Sequence, residues 1–172
     1  MDSPVKKRIS PLTAPAAWLA TGLGVTARSP APGTIGALWG VPIWAAIAQL
    51  PWHSAQLAAV GLLIVLGAPL CDRAARELVD LGLAADAKDP QAITWDEFTT
   101  VPLVYAFAPE AGLSVVWLVV GFAWHRVFDI TKPWPCRPLE RLPDGAGVMA
   151  DDAMAALYAG LAYAGCWRLF GT

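Results

Sequence analysis

Five acidic residues stand where apolar stretches begin or end. Asp96 and Glu97 open the run 98–108, Asp129 closes the stretch that starts at 112, and Asp151 and Asp152 precede the last one, at about 153–170. Carboxylates at the ends of apolar helices cost little because they stay hydrated. Five of them brought together repel, and a divalent cation removes that cost. Hard oxygen donors of this kind suit Mg²⁺, which keeps several waters and meets phosphate oxygens. Taken singly, each acid also reads as a helix cap, Asp151 and Asp152 most of all. As a set, Asp96, Glu97, Asp129, Asp151 and Asp152 read as metal ligands, with Asp96, Glu97, Asp129 and Asp152 as the catalytic carboxylates.

Two further stretches favour phosphate. Residues 28–34 offer a cation, hydroxyls and a following helix start, so Arg28, Ser29 and Thr34 are candidate substrate contacts. Residues 132–137 put Lys132 and Arg137 in a proline-fixed, extended stretch, and both are candidate phosphate contacts. Other phosphate chemistries lack their signatures. No P-loop pattern occurs. Neither Cys71 nor Cys136 has an arginine six residues on, since Glu77 and Leu142 stand there. No aspartyl-phosphate run and no CDP-lipid phosphatidyltransferase signature is present. His53 lies in a turn far from the acids, and His125 sits on an apolar helix, which suits a structural role.

The elements that must position these residues are apolar. The chain has 172 residues, 56% hydrophobic and only 15% charged, against roughly 25% charged for an ordinary soluble domain. So much apolar surface exceeds what one small core can hold, and lipid is the natural sink. The net charge of −2 argues against nucleic acid as a partner. Three cysteines without CxxC spacing predict neither a disulfide framework nor a zinc site.

The expected architecture is all-α, a small polytopic membrane bundle with amphipathic and interfacial helices. Residues 1–15 read as a flexible segment and 16–172 as the membrane domain. Residues 16–24 predict a short interfacial helix, 35–50 and 54–71 a transmembrane hairpin, 72–83 an amphipathic helix, 86–90 a turn, about 94–128 a second hairpin, and 153–170 a last span. Segment 98–108 is too short to span alone and fits only with Asp96 and Glu97 at the membrane surface. With the N-terminus in the cytoplasm, both charged regions return to that side. Of 12 Lys and Arg only Arg168 is then outside, and of 14 acids only Glu110.

Four motifs in order, Ser29-Pro-Ala-Pro-Gly-Thr34-Ile-Gly36, Ile93-Thr-Trp-Asp-Glu97, Phe128-Asp-Ile-Thr-Lys-Pro-Trp-Pro135 and Gly147-Val-Met-Ala-Asp-Asp152, closely resemble bacterial phosphatidylglycerophosphatase A from about residue 18 to 165. The resemblance implies a Mg²⁺-dependent enzyme of the bacterial inner membrane, its active site on the cytoplasmic face, that converts phosphatidylglycerophosphate to phosphatidylglycerol. The family's acidic motifs map onto Asp96, Glu97, Asp129, Asp151 and Asp152. Thr100 stands where the family usually has glycine, Ala37 where it often has serine, and Arg28 where an apolar residue is common. Two other readings compete: a non-catalytic membrane transporter or assembly protein, which would bury charges mid-helix, and a soluble bundle with a greasy exterior.

Overall fold

The computed structural model describes residues 9–87, 91–143 and 145–171, and every regular element among them is helical. Much of the expected flexible segment (residues 1–8) lies outside the described residues, as does the end of the 86–90 turn.

Among the described residues seven α-helices follow one another: α1 (Pro15–Ala20), α2 (Pro32–Ile47), α3 (His53–Asp80), α4 (Trp95–Tyr105), α5 (Val115–Thr131), α6 (Cys136–Leu139) and α7 (Gly145–Phe170). The shortest of the central ones, α4, is the hub. It packs against α2, α3, α5 and α7, and Phe98, Thr99, Thr100, Val101, Pro102, Val104 and Tyr105 on it are all buried. An 11-residue helix is about 16 Å long, half a bilayer core. The Tyr105 hydroxyl donates to the Leu118 carbonyl at 2.7 Å and its ring meets Trp44 and Tyr163, which fixes the far end of α4 to α2, α5 and α7.

The residues before α4 are held as firmly. The Thr94 amide donates to the Ala20 carbonyl at 2.9 Å, and the Thr26 hydroxyl donates to the Ala92 carbonyl at 2.8 Å. The segment at 16–24 is packed into the bundle along one face, with Leu19 and Leu23 exposed on the other. Ala16, Ala17 and Ala20 of α1 are buried, α1 packs on α3, and Glu77 accepts the Ala17 amide at 2.9 Å. Small side chains spaced three and four apart let the two helices approach.

Three boundaries differ from those read in the sequence. The apolar run 54–71 and the charged stretch after it form one helix, because Cys71, Ala74, Ala75 and Leu78 continue a single buried stripe through the change in composition. The last helix begins at Gly145, so Asp151 and Asp152 lie two turns inside α7 rather than at its mouth. Its first amide, on Gly145, donates to Asp72 Oδ1 at 2.5 Å, a cap supplied from α3. Residues 132–135 are not extended: Lys132 ends α5 in the left-handed region at φ 41°, and a turn leads into α6.

Among the described residues α3 alone is long and apolar enough to cross a membrane by itself; α2 is apolar but has 16 residues. Apolar surface is nevertheless widespread on the outside. Leu62, Val65 and Leu66 on α3, Val115, Val116 and Val119 on α5, and Leu161, Leu169 and Phe170 on α7 are all at least half exposed. Contiguous apolar exposure of this kind marks a membrane or protein contact rather than a soluble surface.

Candidate active site

Three helices bring the acids together. The first turn of α4 supplies Asp96 and Glu97, the last turn of α5 supplies Asp129, and the second and third turns of α7 supply Asp151 and Asp152. Asp96, Glu97, Asp129, Asp152 and Lys132 line one small cavity of about 350 Å³, closed on one side by Pro32 and Gly33 at the start of α2. A second cavity, about 1100 Å³, adjoins it. Ile93, Asp96 and Lys132 line both, and the larger one also takes in Asp151, Arg137 and Arg141. Asp129, Asp151 and Asp152 are all buried.

Two cations from the end of α5 hold these carboxylates. Arg126 donates through Nη1 to Asp129 Oδ2 at 2.6 Å and to Glu97 Oε1 at 3.3 Å. Lys132 donates through Nζ to Asp152 Oδ1 at 3.1 Å and closely to Asp151 Oδ2. Burial raises the Asp152 carboxyl well above the usual range, Asp129 adds to the rise, and Lys132 opposes it. Burial also raises Asp151, against its hydrogen bond from Lys132. For Lys132 itself burial works downward, but the two aspartates more than reverse it and the ammonium is held charged. Arg126 and Lys132 between them pair with Glu97, Asp129, Asp151 and Asp152. Glu97 Oε2 and Asp151 Oδ1 are buried with no hydrogen-bond partner among the described residues. No three His, Cys, Asp or Glu side chains among those residues already stand at metal-ligating spacing.

The sequence-predicted phosphate contacts divide. Lys132 and Arg137 line cavities. Arg28 and Thr34 are exposed and line neither; nor does Ser29, whose hydroxyl accepts the Ala31 amide at 3.1 Å. The part of that loop that reaches the site is its glycines. A Cβ on Gly33 would run into the Glu97 carboxylate, and one on Gly36 would lie 2.7 Å from Glu97 Oε2. Sequence reasoning did not single out Arg126, which neutralises two of the acids. Its only signal was its place three residues before Asp129, one helical turn away. His125 has a structural place: it is buried, with Nε2 3.1 Å from the Thr100 hydroxyl. That hydroxyl donates to the Asp96 carbonyl at 2.7 Å, so the imidazole must be the donor to it, which assigns the proton to Nε2.

The family model described as phosphatidylglycerophosphatase A matches residues 18–167, which contain every one of these groups. The chain belongs to the phosphatidylglycerophosphatase A family. It is thereby an enzyme, a lipid phosphatase, which sets aside the non-catalytic reading. It is 39% identical over 159 residues to a phosphatidylglycerophosphatase A of Haemophilus influenzae, covering 92% of this chain and 91% of the relative. It is 35% identical over 147 residues to that of Escherichia coli, covering 84% and 80%. A relative from Bacteroides thetaiotaomicron, 33% identical over 140 residues and covering 81% and 86%, is provisionally named a phosphatidylinositol-3-phosphatase. No solved structure matches the chain significantly. In this member of the phosphatidylglycerophosphatase A family, the four sequence motifs are the four walls of the acidic cavity: the start of α2, the start of α4, the end of α5 and the second and third turns of α7.

Proposed function

We propose that this chain hydrolyses phosphatidylglycerophosphate to phosphatidylglycerol and inorganic phosphate, with Mg²⁺, at the cytoplasmic face of a bacterial inner membrane. The observation that carries the reading is the gathering of five carboxylic side chains with Arg126 and Lys132 where a phosphate must enter. A phosphomonoester brings about −1.5 to −2 more at neutral pH. Cations must therefore accompany it, and carboxylate oxygens, two of them buried without a hydrogen-bond partner among the described residues, suit a hard divalent ion. Asp96, Glu97, Asp129, Asp151 and Asp152 would hold it. When bound, Mg²⁺ polarises the phosphoryl oxygens and neutralises charge developing on them.

The chain's own groups do the rest. Lys132, on the boundary between the two cavities, binds a phosphoryl oxygen. Arg126 fixes Glu97 Oε1, leaving Oε2 as an acceptor that orients a water and takes its proton. The water oxygen bonds to phosphorus as the bond from phosphorus to the glycerol oxygen breaks, and that oxygen leaves as the alcohol after taking a proton from solvent water. The apolar outer faces of α3, α5 and α7 suit lipid, and the lysine and arginine bias supports a cytoplasmic position for the acidic end.

The test is phosphate release from phosphatidylglycerophosphate by detergent-purified protein, with Mg²⁺ and then with EDTA. Release should stop with EDTA. Asp96→Asn and Asp152→Asn should each lower kcat by about a hundredfold or more, as loss of an acid–base or charge-stabilising group does, while the protein still inserts in membranes. Near-normal activity in both variants would remove the carboxylate site. Release from phosphatidylinositol 3-phosphate in place of phosphatidylglycerophosphate would shift the substrate to that of the Bacteroides relative's name.

A further inference from the structure

The larger cavity contains charge that the hydrolytic step does not use. Arg137, in α6, and Arg141, in the turn after it, both line it, both are exposed, and neither has an ion-pair or hydrogen-bond partner for its side chain among the described residues. The other cations near the acids are engaged: Arg126 by Glu97 and Asp129, Lys132 by Asp151 and Asp152. Two guanidinium groups four residues apart thus face a chamber whose boundary with the acidic cavity is Ile93, Asp96 and Lys132. A guanidinium presents a planar fork of donors that matches two oxygens of one phosphate. The chamber also contains Asp72, Asp86, Glu140 and Asp151; Asp72 accepts the Gly145 amide and Lys132 holds Asp151, so among the described residues Arg137 and Arg141 are the cations it leaves for a second phosphate.

We infer that Arg137 and Arg141 form a subsite for a phosphodiester, separate from the place where the phosphomonoester is cleaved. The inference rests on the reading above and adds to it. The proposed substrate carries two phosphates separated by a glycerol: the terminal one reacts beside Lys132, and the internal diester sits on the two arginines. The small cavity then selects a monoester, and the large one selects a headgroup with a second anion at the right separation. This assigns Arg137 to the diester rather than to the terminal phosphate.

The experiment compares wild type with the Arg137→Gln/Arg141→Gln double variant in neutral detergent micelles with Mg²⁺, reading kcat and KM for phosphatidylglycerophosphate and the inhibition constant of inorganic phosphate. The expected result is a rise in KM of about tenfold or more, with kcat within about threefold and inhibition by phosphate within about twofold, as loss of binding made equally in ground and transition state gives. A KM within twofold of wild type overturns the subsite. So does a loss confined to kcat, or a parallel loss of phosphate inhibition, which would return the arginines to the monoester. A KM effect seen only when anionic lipid is added to the micelles also overturns it, because the arginines would then serve surface attraction. If the double variant does not fold, Arg141→Gln alone, at an exposed turn position, should raise KM by about threefold or more, and no rise would refute the subsite. Failure of wild type to release phosphate from this lipid would sink the proposed function instead, and is seen before any variant is made.

Discussion

Gly36 offers a sharp test of how the site is built. A Cβ placed there lies 2.5 Å from Thr94 Cβ and 2.7 Å from Glu97 Oε2. Neither neighbour is free to yield. Thr94 is buried and hydrogen-bonded to Ala20 and Thr26, and Glu97 is held by Arg126. Gly61, on α3, has nothing within 4 Å of the same added atom. Replacing glycine by alanine inside a helix gains about 0.5–1 kcal/mol where space is open. At Gly36 that gain is set against overpacking of about 1–3 kcal/mol, for a net loss of up to about 2.5 kcal/mol. The two alanine variants should therefore move in opposite directions. Guanidinium unfolding in mild detergent, followed by fluorescence of the nine tryptophans, reads the stability. Phosphate release reads the site, and Gly36→Ala should lower kcat by about tenfold because it displaces a catalytic carboxylate. A Gly36→Ala protein as stable as Gly61→Ala and fully active would refute the close packing of α2 on Glu97.

Lys132→Met should cost about 3–5 kcal/mol in EDTA by leaving two buried aspartates without their cation. Its melting temperature should also respond to Mg²⁺ more steeply than wild type, since saturation at a hundred times Kd returns about 2.7 kcal/mol; identical melting curves with and without the ion would count against the pairing. Thr100→Val removes the acceptor of the His125 proton and should destabilise by about 1–3 kcal/mol with kcat within about twofold. An unchanged denaturation midpoint would show that the imidazole finds another partner.

The acids were legible because charge at the edge of an apolar run has few readings, and because a chain that returns twice to one side must gather them. The helix boundaries were less so. The buried stripe of α3 crosses from an apolar to a charged composition without a glycine or cap, so a reading by composition cuts the helix where its packing continues. The start of α7 was hidden for the opposite reason: Gly145 and Gly147 suggest a loop, and the cap that begins the helix comes from Asp72, 73 residues earlier. Arg28 and Thr34 had the right chemistry for phosphate but sit outside both cavities. The glycines beside them matter through space they leave for Glu97, which no residue type announces. Arg126 and Arg141 were single charges near an apolar helix or a turn, and only the fold separates the one that neutralises acids from the one that faces a cavity.

One short stretch of backbone organises the acidic end. Arg126 and Lys132 both come from the end of α5, and between them they bond acids from α4, α5 and α7. Lys132 does so from a left-handed conformation at φ 41°, where a helix would ordinarily finish with glycine. Holding a side chain there costs about 1 kcal/mol relative to glycine. Breaking a buried ion pair costs about 3–5 kcal/mol, so the lysine wins despite its backbone. The same turn then sends the chain into α6, which carries Arg137 and leads to Arg141 on the wall of the second cavity. The strained residue thus does two things at once: its side chain pairs with the buried aspartates, and the turn it begins leads the chain to Arg137 and Arg141 on the wall of the larger chamber.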